Sequence, residues 1–182
     1  GLAGAGLATA PLMSSLSSAK AARITGFPAM RNLAFTLDRP ITLEEEATTY
    51  NNFYEFGSSK NIWRKAQKLV TDPWMFAIDG LVNNPLQMDI SDLIARTGPQ
   101  EERLYRHRCV EAWAMAVPWT GVPMSRLVEL VQPKAEAKYV RLETFFDPSV
   151  AIGQRQSWYP WPYVEGMTID EAMNEMAFIG TG

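Results

Sequence analysis

The clearest alternation of apolar and polar positions lies at residues 137–147, AKYVRLETFFD. Val140, Leu142, Thr144 and Phe146 fall on one side; Tyr139, Arg141, Glu143 and Phe145 fall on the other. A period of two predicts a strand. WMFAIDG at 74–80 repeats the pattern through Trp74, Phe76 and Ile78 and stops at Gly80. EERLYRHRCV at 101–110 predicts another strand, with Leu104, Arg106, Arg108 and Val110 on one side. Tyr105, His107 and Cys109 share the other, which places Cys109 near the strand's end. Helical spacing appears in MSRLVELV (124–131), which follows a proline and repeats at Leu127, Leu130 and Val131. Ile90, Leu93 and Ile94 predict a helix capped by Asp89 or Ser91 and closed by Thr97-Gly98-Pro99. Two capping boxes stand out. Thr42 with Glu45 precedes a helix near 43–48, and Thr168 with Glu171 starts a helix through Met173.

The stretches between these elements are equally patterned. Asn83-Asn84-Pro85 is a turn. Residues 58–70 run from polar and basic to apolar, a surface loop or short helix. Residues 110–123 are apolar but interrupted by Pro118, Gly121 and Pro123, which predicts a broken segment. YNNFYEFG at 50–57 sets two Asn among Tyr50, Phe53, Tyr54 and Phe56, a packed loop rather than an amphipathic helix. WYPWPYVEG at 158–166 is a second aromatic, proline-rich loop. Strands and helices mix without an internal repeat, so the fold class expected is α/β with mixed sheets.

Composition narrows the function classes. The 182 residues are 47% hydrophobic and 20% charged with net charge −3, which suits a globular domain and gives no footprint for nucleic acid. One His and one Cys exclude the usual His/Cys zinc site and an internal disulfide. Residues 1–20, GLAGAGLATAPLMSSLSSAK, are rich in Ala, Gly, Leu and Ser and carry no charge before Lys20. That composition matches the end of an export signal, with small residues at Ser18-Ala19, or a flexible tail. Residues 21–49 then form an N-terminal extension, and 50–182 the domain proper. The closing FIGTG is apolar, as if a strand were to continue, so the chain is expected to be a portion of a longer protein.

The candidate chemistry centres on Cys109. A lone cysteine is either an inert core thiol or a thiolate acting as nucleophile or soft-metal ligand. Arg106 and Arg108 favour the thiolate by charge, although strand alternation sets them across from it. His107 shares the Cys109 face, but no Asn or Asp orienter accompanies it. Glu111 is a general acid, a site-facing carboxylate or a solvated charge. Asn51, Asn52, Tyr54 and Glu55 offer hydrogen-bonding groups among aromatics, which makes either a pocket for a polar planar ligand or a packed structural loop. GxGxxG, GxxxxGK[ST] and HExxH are absent from the sequence.

Taken in order, YNNFYEFG, TDPW (71–74), EERLYRHRCVEAWAMAVPWTG, AKYVRLETFF and WPYVEG are long and specific motifs. From about Tyr50 to Gly182 the chain resembles the periplasmic methionine-sulfoxide-reducing branch of the sulfite oxidase-like molybdenum enzymes. The resemblance implies the N-terminal part of a sulfite oxidase-like molybdopterin-binding fold carrying Mo-molybdopterin. It implies that Cys109 is the catalytic thiolate ligand of the metal and Glu111 a catalytic carboxylate close to it. Asn51, Tyr54, Glu55 and Thr144 are implied as cofactor contacts. The activity implied is molybdenum-dependent reduction of methionine sulfoxide in exported proteins by oxygen-atom transfer. A haem-containing membrane subunit would bring electrons from quinones, and oxidised periplasmic proteins would be the substrates. Export would use a twin-arginine signal that begins before Gly1. Two alternatives stay open: the same site acting on other S- or N-oxides or oxidising sulfite, and a non-catalytic exported binding module.

Overall fold

The structure, a computed structural model, describes residues 26–182. The segment 1–20 read as a signal remnant, and the first residues of the extension, lie outside the described residues. The order is α1 (Glu44–Thr49), α2 (Trp63–Ala66), β1 (Met75–Ile78), β2 (Leu86–Asp89), α3 (Ile90–Thr97), β3 (Glu101–Arg108) and β4 (Ala114–Pro123). Then come α4 (Met124–Val131), β5 (Tyr139–Glu143), a 3-10 turn (Ile152–Arg155), β6 (Val164–Thr168), α5 (Ile169–Met173) and β7 (Phe178–Gly180). The architecture is mixed α/β, as expected. Its strands pair antiparallel in three small sheets, β1-β2, β3-β4-β7 and β5-β6.

Local chemistry explains several boundaries. Asp89 caps α3 by accepting from the Ser91 amide at 2.8 Å. Its other oxygen accepts from the Trp74 amide at 2.8 Å, so one carboxylate starts the helix and fixes the entry to β1. At α5 the capping box is complete: the Glu171 amide donates to Thr168 Oγ1 (3.1 Å) and the Thr168 amide to Glu171 Oε2 (2.7 Å).

The structure departs from the sequence reading at four places, each for a tertiary reason. α1 forms, but Leu43 holds its N-cap position and no side chain caps it. The Thr42 hydroxyl instead accepts from the Ala116 amide at 3.0 Å, while the Thr42 amide donates to the Ala116 carbonyl. The segment expected to be broken at Pro118 is the ten-residue strand β4. Ala116 and Thr120 both direct their backbone groups away from β3, toward Thr42 and the 181–182 segment. Strand alternation puts Pro118 on that same outer side, where its missing N–H costs no bond to β3. β3 ends at Arg108, one residue before Cys109, and its burial peaks at Arg103 and Leu104 rather than alternating. β5 is shorter than its pattern and only Val140 is even partly covered, because its sheet has two strands.

Two apolar clusters anchor these elements. Phe56, Ile62 and Ala151 are buried together with Phe53, Leu69 and Phe145 packed against them. Met124, Val128 and Ala172 form the second, with Val140, Met167 and Ile179 around it. The first cluster lies directly behind the 50–57 loop. Gly153 lets the 3-10 turn come up against that loop. A Cβ there would lie 2.0 Å from the Tyr54 carbonyl oxygen, and the Gly153 amide donates to the Glu55 carbonyl at 2.7 Å.

Candidate cofactor site around Cys109

β3 and β4 are paired in register from Glu101↔Gly121 to Arg108↔Ala114, which leaves residues 109–113 as the connecting turn. The Cys109 amide donates to the Trp113 carbonyl (2.9 Å), and the Ala112 amide to the Cys109 carbonyl (3.2 Å). Ala112 adopts φ +65°, a left-handed conformation that tightens the turn at a cost for a residue with a Cβ. Cys109 is thereby held at the rim, partly exposed, rather than in the core.

The 50–57 loop meets this turn side chain to side chain. Asn52 Nδ2 donates to Cys109 Sγ at 2.9 Å. The Tyr54 hydroxyl donates to Glu111 Oε1 at 2.7 Å, and Lys60 Nζ donates to Glu111 Oε2 at 2.6 Å. Tyr50 and Trp113 pack edge to face, with ring centroids 6.2 Å apart. The Lys60 hydrogen bond, then that of Tyr54, holds the Glu111 carboxyl below the usual carboxylate range. The same contact with Glu111 raises Lys60 and, with burial second, the Tyr54 phenol. Near neutral pH Glu111 is therefore an anion accepting two bonds, an arrangement suited to fixing position rather than to donating a proton.

Glu55 is buried beneath the loop. The Thr144 hydroxyl approaches its Oε1 at 3.5 Å and donates more closely to the Phe145 carbonyl at 3.1 Å. The Thr144 amide donates to the Tyr163 carbonyl, which draws the 158–163 aromatic loop alongside. Tyr163 is pushed up to about 12, chiefly by its hydrogen bond to Glu165 and then by burial, with Glu55's charge contributing. Trp158 lies against Tyr54, ring centroids 6.0 Å apart.

The sequence-predicted residues thus form two neighbouring groups. Cys109, Glu111 and Tyr54 belong to the junction of turn and loop; Glu55 and Thr144 sit behind Tyr54. Asn51 is anchored by its own amide, which donates to the Lys60 carbonyl at 3.2 Å. His107 does not pair with Cys109; its ring lies 5.7 Å from both Trp113 and Trp119. Arg106 and Arg108 are exposed. Lys60 is the side chain at this junction that sequence reasoning passed over. It stood in a basic surface stretch with no local signal of a partner 51 positions away.

A molybdopterin fits what this junction offers. Asn51 Oδ1, Asn52 Oδ1 and Trp113 Nε1 are buried polar atoms without a hydrogen-bond partner among the described residues. Such orphans are costly unless a ligand completes them, and a pterin edge carries both N–H donors and acceptors. Among the described residues no three His, Cys, Asp or Glu side chains converge to cage a metal. Cys109 would be the protein's ligand, a soft donor suited to a metal already bound by dithiolene sulfurs.

A family model described as the oxidoreductase molybdopterin binding domain matches residues 64–182, including Cys109, Glu111 and Thr144. Asn51, Asn52, Tyr54, Glu55 and Lys60 lie ahead of that match. The chain is 43% identical over 152 residues to a protein-methionine-sulfoxide reductase catalytic subunit MsrP of Burkholderia mallei, covering 83% of this chain and 46% of that protein. It is 47% identical over 148 residues to the protein of the same description from Pseudomonas syringae pv. tomato, covering 80% and 44%. The chain spans about half the length of these relatives. Their description as catalytic subunits implies, for those proteins, a partner subunit.

Proposed function

Because this chain belongs to the oxidoreductase molybdopterin-binding domain family, we propose that it provides the thiolate half of a molybdenum site that reduces methionine sulfoxide in exported proteins. The observation that carries the reading is Cys109 Sγ at the rim of the junction, met by the Asn52 amide, with unpartnered buried polar atoms on the same loop and turn. The names of the relatives support the sulfoxide substrate.

In the overall reaction a sulfoxide takes up two electrons and two protons; its S–O bond breaks, and a thioether and water are released. The molybdenum cofactor, when bound, supplies the oxygen-atom acceptor and passes the electrons. The chain's own residues do the holding. Cys109 would ligate the metal, and Asn52 donates to its sulfur, fixing the sulfur's orientation as outer-shell donors do. Asn51 Oδ1, Asn52 Oδ1 and Trp113 Nε1, buried without partners among the described residues, would complete their hydrogen bonding on the cofactor. Glu111, ionised between Tyr54 and Lys60, keeps the turn against the loop. Trp158, 60% exposed, stands outside Tyr54 as an apolar wall for the methyl and methylenes of a methionine side chain still in its polypeptide.

The wider reading follows the same premise. The protein works in the periplasm after twin-arginine export, receives electrons from a haem-containing membrane subunit that draws on quinones, and acts on oxidised periplasmic proteins. The test uses protein from an exporting host that makes molybdenum cofactor. Metal analysis finds molybdenum, and reduced dye is turned over with oxidised protein and with free methionine sulfoxide. Cys109→Ser removes the turnover, since oxygen is a harder donor than thiolate. Activity limited to sulfite overturns the substrate; a chain without molybdenum points to a non-catalytic module.

A further inference from the structure

The turn that carries Cys109 has little to hold it. Val110 is 99% exposed, and Glu111 and Ala112 are exposed as well, so the tip is bare and apolar packing is confined to Trp113 at the turn's end, edge to face on Tyr50. Beyond two backbone hydrogen bonds within the turn, the side-chain bonds that tether it are Asn52 to Cys109 and Tyr54 and Lys60 to Glu111. Lys60 differs from the other two because it lies outside the 50–57 loop and bonds both the loop and the turn. Its carbonyl accepts from the Asn51 amide, which sets the start of the 50–57 loop, and its ammonium holds Glu111, which sets the turn. It also lies 5.5 Å from the centroid of the Tyr54 ring, the other donor to Glu111.

We propose that Lys60 is a positioning residue for the Cys109 site, a clasp that sets the spacing between the Asn51–Asn52 loop and the cysteine turn. The proposal deepens the molybdenum reading by naming the residue that keeps the thiolate ligand and the unpartnered Asn51 and Asn52 side-chain oxygens in register. The clasp is made by the chain's own groups, so its test does not depend on molybdenum content.

Cys109 is the only cysteine, so its reaction with iodoacetamide is read from intact mass without ambiguity. In the 182-residue chain at fixed pH, Lys60→Met is expected to speed alkylation about two- to five-fold, the opening that loss of a partly exposed ion pair produces. Lys60→Arg keeps the charge and restores a rate near that of the parent. Glu111→Gln reproduces the Lys60→Met rate, and the double variant is no faster than either single one, because both remove one clasp. Hydrogen exchange separates a local effect from general loosening. Loss of protection confined to residues 109–113 supports the clasp, and loss spread equally into α4 overturns it. Parent-like alkylation in Lys60→Met, or additive rates in the double variant, also overturns it. Molybdenum content is measured separately. A chain that behaves as expected in alkylation yet takes up no molybdenum keeps the clasp and loses the cofactor reading.

Discussion

Two paired cations, Arg103 and Lys60, each bond a part of the chain more than fifty positions away, and they do so in opposite surroundings. Arg103 is buried, 4% exposed. Its guanidinium pairs with Glu101, donates to the Tyr105 hydroxyl (2.9 Å) and the Glu175 carbonyl (2.6 Å), and lies over the rings of Phe35 (3.9 Å) and Phe178 (4.6 Å). Lys60 and Glu111 form a single contact at the rim, with side chains 28% and 33% exposed. Arginine suits the first place because its planar fork bonds several acceptors and stacks on aromatic faces. The rim pair is screened by water and contributes little to stability. The comparison shows that one pair holds the fold and the other holds an alignment, so damage to each is read on a different instrument.

The largest effect separates the two directly. Arg103→Ala takes the cation from the Glu101 carboxylate, the donor from the Glu175 carbonyl and the stacking from two rings, and is expected to cost about 3–5 kcal/mol. Urea denaturation measures it, and a loss under about 1 kcal/mol, the range of a surface pair, would erase the contrast. Next comes a matched pair of glycines. Gly121→Ala drives a Cβ to 1.9 Å from the Ile179 carbonyl oxygen beside the Arg103 region, and Gly153→Ala to 2.0 Å from that of Tyr54. Each is expected to cost roughly 1–3 kcal/mol through forced displacement. Only Gly153→Ala moves the 50–57 loop, so only it changes the Cys109 alkylation rate; equal changes in both would remove the distinction.

The smallest effect is the response to pH. Glu111's carboxyl is lowered in the folded chain, so its stabilisation is complete above the ordinary 4.5 and is lost as pH falls through the depressed value. Lys60 and Tyr54 are raised, so theirs is complete below 10.5 and 10.0 and is lost only as pH climbs through the raised values. The junction is therefore intact across the neutral range and loosens first in acid. Protection of the 109–113 amides should drop in the parent as acid takes Glu111 through its lowered range, and the drop should be absent in Glu111→Gln, whose clasp is already open.

Legibility followed the distance over which each residue acts. Asp89 and Thr168 cap helices two or three residues away, and their patterns could be read directly. Thr42 carried the same signature, yet its hydroxyl serves Ala116, 74 positions along the chain. Pro118 read as a break because the side on which a strand's N–H falls is set by its neighbours. At the site, the single cysteine and the Asn-Tyr-Glu loop drew attention by composition, and the motif resemblance assigned them roles. Lys60 looked like any solvated lysine, since its partner arrives through the β3-β4 hairpin.

Pro118 has a further consequence, for association rather than for folding. The outer edge of β4 is occupied by Thr42 at Ala116 and by residues 181–182 at Thr120, and between them the proline presents no donor. A strand from another molecule approaching this edge finds its ends taken and no donor in its middle. The three-stranded sheet is thus closed to edge-to-edge growth along β4, a safeguard against aggregation built from a residue that seemed only to interrupt the strand.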